Sequence, residues 1–480
     1  MERQDKQKEA LILVLESSTT SAKAMLYSTL TGAVSVKTKA FEAMYEDITI
    51  HDGEKVFQQT AALGRDLCEG REIDMIALSG TWHSLMLCGM DMKPASPVYL
   101  WSFTGAAGVC AALRKDESYV SRYYQKTGCM VNAIYPFFKL KYLSEQGYDL
   151  SKYRIMGQGT YNNYRLTGAC TVMDCMAAGS GLLNTHTKQF DPELLSELGI
   201  LKDQLSELVT YRETRPLNEE GAGLLGLSPG IPVITAGSDG GLNQIGAGAL
   251  KEGVMTFSVG TSAAIRLTTA KPILPDNPST WCYMSPKAWL SGAATSGCCN
   301  CVDWVKKELF PAGTSYGEIE AGFGDPETTP VFLPFLFGER CPGWRDDREG
   351  AFFDVKPFHR ANDMYHAVLE GTLYNVYHCY RMLSGLNGTP RRIKLSGGII
   401  HSKYWTQMCA DIFGEPMEVA DMEHSSLIGG AALALELLGV IEKAEDFDVE
   451  TVETIRPDPS KRERYDRKFA RYLYWYEKTR

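Results

Sequence analysis

Residues 231–267 read IPVITAGSDGGLNQIGAGALKEGVMTFSVGTSAAIRL. Ile231–Ala236 is a short, continuous apolar run, the pattern of a strand buried on both faces. It stops abruptly at Gly237-Ser238-Asp239-Gly240-Gly241 and passes into a small-residue helix expected over Leu242–Leu250. Val254–Val259, the polar turn Gly260-Thr261-Ser262 and Ala263–Leu267 then predict a hairpin.

The same punctuation opens the chain. Ala10–Leu15 is an apolar run, broken by Glu16-Ser17-Ser18-Thr19-Thr20-Ser21 and resumed over Lys23–Ser28. Two matched hairpins, Val14–Tyr27 and Thr256–Leu267, therefore stand roughly 240 residues apart, each opening a half of comparable size. This predicts two related α/β domains, 10–248 and 253–480, meeting within Ala249–Gly253. Met75–Ser79 predicts a strand ending at Gly80, and Ile393–Leu395 one running into Ser396-Gly397-Gly398. Helices are expected at Phe137–Gln146, Tyr161–Leu166, Lys403–Phe413, Leu427–Leu438 and Lys461–Lys478.

Composition bounds the partners. A net charge of −10, spread without long single-sign runs, argues against nucleic acid, which needs a basic face. No apolar run approaches the roughly 20 residues that span a bilayer, and Met1–Ala10 is too polar for a signal peptide. A cytoplasmic protein with neither membrane nor nucleic-acid partners is the expectation. The 13 cysteines are scattered and odd in number, which suits buried free thiols better than a disulfide scaffold. Cys298 and Cys301 have C-x-x-C spacing, but no second pair or histidine pair lies near enough to complete a zinc site.

The turns suggest where chemistry sits. Small hydroxylated residues let backbone amides approach an anion and add donors of their own, although Ser and Thr also favour turns for purely local reasons. Two such turns, Ser18–Ser21 and Gly260–Ser262, would clamp a polyphosphate. Asp239 follows a buried strand and precedes a helix, so it reads either as an N-cap or as a general base at the carboxyl end of a strand. Gly240 and Gly241 would allow close approach to the backbone, and Gly397-Gly398 would admit nucleotide phosphate at a helix start. Trp82-His83, after Gly80, suits either a sugar pocket or a structural ring pair.

Together these segments resemble the FGGY family of carbohydrate kinases along nearly the whole chain. Glu16–Lys23 approximates the family's D-x-G-T-T-S-x-K, and Gly80-Thr81-Trp82-His83-Ser84 its G-Q-M-H-G. Tyr135–Leu140 matches Y-P-x-x-K-L, Tyr164–Gly168 is Y-R-L-T-G unaltered, and Asp174–Leu183 follows a further family segment, one residue shorter. In the second half Gly237–Gly240 approximates G-x-x-D-G, Gly260–Ala263 is G-T-S-A, and Gly338–Trp344 is G-E-R-x-P-x-W. Glu370-Gly371 matches E-G, while Gly397, Gly398, Ser402, Trp405 and Gln407 follow the adenosine segment.

The resemblance implies two ribonuclease-H-like domains of the actin and hexokinase superfamily around a central cleft. It implies ATP-dependent phosphorylation of a sugar or sugar acid, with Asp239 as general base. Trp82, His83, Tyr135 and Gly240 would border the acceptor. Ser18, Thr19, Thr20, Ser21, Lys23, Gly260, Thr261, Ser262, Gly397, Gly398 and Ser402 would hold the nucleotide and its phosphates. Mg2+ would keep several waters, with Glu16 and Asp239 in its outer sphere. A homodimer is also an expectation carried by the family alone.

The departures bear on specificity. Glu16 stands where the family has Asp, and Ser18 where it has Gly, which questions any turn needing positive φ. The family's W-N-D-T-R reads Trp101-Ser102-Phe103-Thr104-Gly105, without its Asp and Arg, so a pocket rebuilt around Phe103 is expected. The K-E often found before Y-R-L-T-G is replaced by Gly159 and Thr160. Gly237–Leu250 and Gly260–Arg266 look most like gluconate kinases, whereas Cys298–Trp304 looks like xylulose kinases. Gluconate or a related sugar acid is favoured, with a ketose or polyol as the alternative. A degenerate nucleotide- and sugar-binding sensor is the alternative of another class, and the retained Asp239 and Thr261 argue against it.

Overall fold

The computed structural model describes residues 9–420 and 424–479; of the N-terminal segment read above, residues 1–8 lie outside the described residues. The chain forms two compact units. The first comprises Met1–Leu250, Cys282–Leu290 and His424–Asp448, and the second Lys251–Trp281, Ser291–Glu423 and Val449–Arg480. The first unit thus gathers two segments that a division into 10–248 and 253–480 assigns to the second.

The first unit is built on a sheet of β1 (Leu11–Ser17), β2 (Ser21–Ser28), β3 (Gly32–Ala40), β4 (Met75–Gly80), β5 (Arg215–Pro216) and β6 (Pro232–Ser238). Their order is β5-β6-β4-β1-β2-β3. β1 pairs antiparallel with β2, from Leu11 opposite Ser28 to Ser17 opposite Ala22, and parallel with β4, where Ser17 faces Gly80. β6 runs parallel to β4 on its other side, with Ser238 also facing Gly80. Three parallel strands therefore end side by side at Glu16-Ser17, Ser79-Gly80 and Ser238. The side chains of Leu13, Leu15, Ile76, Leu78 and Val233 are buried in the core beneath them.

The second unit repeats the plan with β7 (Val254–Val259), β8 (Ala263–Thr269), β9 (Arg392–Gly397), β10 (Met417–Ala420) and β11 (Thr451–Ile455). These lie in the order β8-β7-β9-β10-β11. β7 pairs antiparallel with β8 and parallel with β9, and Val259 faces Gly397 as Ser17 faces Gly80. The duplication seen in the hairpins thus extends to the parallel partner of each. Beyond the sequence reading lies the 27-residue helix Ala361–Asn387, whose middle carries Glu370-Gly371.

The helix after β6 begins at Asp239 and ends at Gly246, starting and stopping earlier than the expected Leu242–Leu250. It crosses the helix Ser425–Leu437, which explains why that C-terminal segment joins the first unit. A Cβ on Gly429 would lie 2.0 Å from the Leu242 carbonyl oxygen, and one on Gly246 would lie 1.8 Å from that of Ser425. A Cβ on Gly430 would lie 2.9 Å from Val14, so the same helix also rests on the sheet. Only glycine at the crossing lets the two backbones touch. Among the described residues no helix is long and apolar enough to cross a membrane.

Candidate active site

In the first unit the side chains gather where β1, β4 and β6 end. Ser238, not Asp239, caps the following helix: its hydroxyl accepts the Gly241 N–H at 3.3 Å. Asp239 is the first helical residue, so its carboxylate is released from the capping duty that a sequence reading leaves open. Its Oδ1 accepts the Gly240 N–H at 2.7 Å and the Trp82 N–H at 3.2 Å. These two bonds orient the carboxylate at the carboxyl end of a strand, and the half-buried side chain keeps contact with solvent.

Trp82 is 6% exposed, and its indole N–H donates to the Cys175 carbonyl at 2.8 Å. It therefore offers a wall rather than a hydrogen bond. Glycines make room for it on both sides, since a Cβ would meet the ring at 2.5 Å from Gly240 and 2.6 Å from Gly179. The space left by Gly240, expected to admit substrate, is filled by this indole. His83 has φ +64°, and its Nδ1 lies 2.6 Å from the Gly179 carbonyl. A carbonyl only accepts, so Nδ1 carries a proton and donates it to Gly179.

His83 is framed by Tyr135 and Tyr283, with ring centroids at 5.2 and 5.4 Å, and the two tyrosine hydroxyls meet at 2.5 Å. Tyr283 went unnoticed in the sequence because it arrives on the short segment Cys282–Leu290, far along the chain. Lys139 was seen only as part of a motif. It is fully buried, and its ammonium donates to the carbonyls of His83 and Leu100 at 2.7 Å each. Burial pushes its pKa well below the usual lysine range. Its side chain thus links the His83 carbonyl, at a left-handed turn, to that of Leu100. Behind His83, a cavity of about 60 Å3 is too small for a sugar.

The first hairpin turn is closed largely on itself. Ser18 donates through both N–H and hydroxyl to the Ser21 carbonyl, at 2.9 and 2.8 Å. Ser18 is absent from the residues with positive φ, so serine at this position needs no glycine-like backbone. Thr19 accepts the Trp101 indole N–H at 3.0 Å, while Thr20 is exposed. Glu16 is buried, with Lys23 Nζ at 2.7 Å from Oε1 and the Ser79 hydroxyl donating to Oε2 at 2.8 Å. Lys23 is thereby committed to Glu16. Phe103 packs its ring against Tyr99 and Tyr142 at 4.8 and 5.7 Å, so the missing family Asp has become part of an aromatic cluster.

In the second unit, Gly260 and Thr261 are exposed and Ser262 half-buried, with the Gly260 N–H donating to the Ser262 carbonyl at 2.9 Å. The helix Cys299–Leu309 starts against this turn: Cys299 N–H donates to the Gly260 carbonyl at 3.0 Å. Gly397 and Gly398 are exposed beside it at the end of β9. Gly397 has φ +90°, and a Cβ there would lie 2.2 Å from the Val259 carbonyl oxygen. The result is a bare ledge of backbone next to a hydroxylated turn, suited to an anion. Ser402 follows the ledge by one short turn, at the start of the next helix. Its hydroxyl caps the next helix by accepting the Trp405 N–H at 3.0 Å and donates to Glu320 at 2.7 Å.

Residues 11–246 match the N-terminal domain of the FGGY family of carbohydrate kinases, and residues 255–436 match its C-terminal domain. The chain belongs to the FGGY family. It is 28% identical over 460 residues to the gluconokinase of Bacillus subtilis, covering 91% of this chain and 89% of that one. Among solved structures it is similar to the gluconate kinase of Lactobacillus acidophilus, at 27% identity, a TM-score of 0.92 and 97% of both chains. A ligand-bound xylulose kinase from the same organism superposes equally well, at 26% identity, a TM-score of 0.92 and 97% of both chains. As an FGGY member the chain is a carbohydrate kinase and binds ATP. The expected pair of ribonuclease-H-like domains is its fold.

Proposed function

We propose that this FGGY kinase phosphorylates a hydroxyl of gluconate or a closely related sugar acid, with Asp239 as general base. The observation that carries the reading is the carboxylate of Asp239, relieved of capping by Ser238 and oriented by the N–H groups of Trp82 and Gly240. A base so placed takes the proton from the attacking hydroxyl as the phosphoryl group transfers. His83, packed between the rings of Tyr283 and Tyr135, borders the acceptor sugar. The turn Gly260–Ser262 and the Gly397-Gly398 ledge take the nucleotide phosphates.

Mg2+ fits this donor set in an outer-sphere role only. Among the described residues no cluster of three His, Cys, Asp or Glu forms a protein cage, and Glu16 already pairs with Lys23 and Ser79. Glu16 and Asp239 would orient its waters while the phosphates supply inner ligands. When bound, the ion neutralises charge on the transferred group.

The similarity to gluconate kinases in sequence and structure supports the sugar acid. A ketose is the second reading, favoured by the equal likeness to a xylulose kinase structure. Release of ADP from Mg-ATP, followed over gluconate, other sugar acids, xylulose and glycerol beside Asp239→Asn, tests both. Turnover greatest on gluconate and lost in the variant is the expected result. Preference for xylulose would overturn the sugar acid, and turnover kept in the variant would overturn the base.

A further inference from the structure

The strands Trp281–Met284 and Trp289–Thr295 are neighbours in the sheet of the second unit, yet the tip of the hairpin they form, Cys282–Leu290, belongs to the first. The tip closes where the Ser285 N–H donates to the Ala288 carbonyl at 2.8 Å. It meets three parts of the candidate active site. The Tyr283 ring lies 5.1 Å from that of Trp82 and 5.4 Å from that of His83. A Cβ on Gly241 would lie 3.4 Å from Ser285 Cα, so the tip also rests against the first turn of the Asp239 helix. Tyr283 is 2% exposed and therefore supports these groups from behind rather than touching the sugar itself.

Charge holds the turn of this hairpin. Lys287 Nζ lies 2.8 Å from Glu436, with the two side chains 11% and 3% exposed, and pairs with Glu445 as well. Glu436 also accepts from the Tyr211 hydroxyl and the Ala444 N–H at 2.7 Å each, and pairs with Arg212. Burial alone would raise its pKa, yet the hydrogen bonds from Lys287, Tyr211 and Ala444 hold it down to about 2. A buried carboxylate paired in this way fixes its partners, because withdrawing one leaves charge uncompensated. The two ends of the tip are tied separately. The Cys282 N–H donates to the Gly128 carbonyl, and the Trp289 indole N–H to that of Thr185, at 3.0 Å each.

Glu436 stands on the helix Ser425–Leu437, which also crosses the Asp239 helix at Gly429. One helix thus sets both the base and the hairpin tip.

We propose that Lys287 is a positioning residue for the acceptor: its pairing with Glu436 seats the hairpin so that Tyr283 backs Trp82 and His83, and sugar affinity depends on it. The proposal rests on the reading that Trp82 and His83 border the sugar. The Gly260–Ser262 turn and Gly397-Gly398 belong to the second unit, so nucleotide binding is not expected to depend on this pair.

Steady-state kinetics of the full chain with Mg-ATP and gluconate, xylulose or glycerol tests this in Lys287→Met, Lys287→Arg, Tyr283→Leu and the double variant Lys287→Met/Tyr283→Leu. Lys287→Met keeps the apolar stem and leaves Glu436 its Tyr211, Arg212 and Ala444 donors. Its KM for the sugar should rise at least about fivefold, with kcat and the KM for ATP within about twofold of the parent. Lys287→Arg should recover most of the loss. Tyr283→Leu should raise the sugar KM to a similar degree, and adding Lys287→Met to it should change little, because both act through one ring. A lower melting temperature for Lys287→Met with an unchanged sugar KM overturns the positioning role. So does an equal rise in both KM values, or a double variant whose losses simply add. If Lys287→Met does not fold, Tyr283→Leu decides alone, and an unchanged sugar KM overturns the proposal. Preference for xylulose, or turnover kept in Asp239→Asn, would overturn the sugar-acid or base assignment instead and leave these ratios intact.

Discussion

The N–H of Trp82 donates to Oδ1 of Asp239 at 3.2 Å, joining the end of β4 to the start of the helix that follows β6. This bond orients the proposed base from a second strand, while Ser238 bears the helix cap. Asp239→Asn retains an oxygen acceptor for both N–H groups, so the fold should persist. We expect kcat to fall about 100- to 10,000-fold with KM nearly unchanged. Ser238→Ala should instead lower stability by roughly 1 kcal/mol while sparing most turnover. Steady-state kinetics beside thermal melting separates the two roles, and equal kinetic losses would contradict the division.

Lys139 is expected to act as a positioning residue. Lys139→Met keeps the apolar length but strips the carbonyls of His83 and Leu100 of their donor. The loss should be roughly 1–3 kcal/mol, because a buried carbonyl is left unpaired. KM for the sugar should rise more than kcat falls, since His83 is displaced and Asp239 is not. Urea unfolding and saturation kinetics read both effects, and an unchanged KM would argue against control of His83.

Packing of the two crossing helices predicts a contrast between glycines. Gly429→Ala places a methyl group 2.0 Å from the Leu242 carbonyl oxygen and should cost roughly 1–3 kcal/mol, with reduced turnover as the Asp239 helix shifts. Gly385→Ala, in the helix Ala361–Asn387 with nothing within 4 Å of its new methyl, should stabilise by about 0.5–1 kcal/mol. Differential scanning calorimetry of the pair checks the sign of each.

A pH dependence follows from Asp174. Burial raises its pKa from 3.8 to about 6, only partly offset by the Cys175 N–H and by Lys188, while Glu213 adds to the rise. The folded state therefore holds this proton more tightly than the unfolded chain, and the residue's contribution to stability falls as pH rises from about 4 through 6. Asp174→Asn, which stays neutral, should match the parent near pH 4 and exceed it by roughly 1–2 kcal/mol at pH 8. Chemical denaturation across that range measures the difference. A difference independent of pH would show an ordinary carboxyl group.

Much of this kinase was legible in its sequence. Both hairpins and the strands ending at Gly80, Ser238 and Gly397 announce themselves through apolar runs cut by Gly, Ser and Thr, because strand burial and turn chemistry are local properties. The ordered motifs pointed to the family for the same reason.

Tertiary structure decided the rest. Whether Ser238 or Asp239 caps the helix turns on a single residue's backbone angles, finer than any pattern of apolar spacing resolves. That Gly240 makes room for the Trp82 ring, that Tyr283 reaches His83, and that the helix Ser425–Leu437 joins the first unit all depend on contacts between distant segments. Close packing, unlike strand periodicity, is a relation between surfaces, and it exists only once the chain has brought those surfaces together.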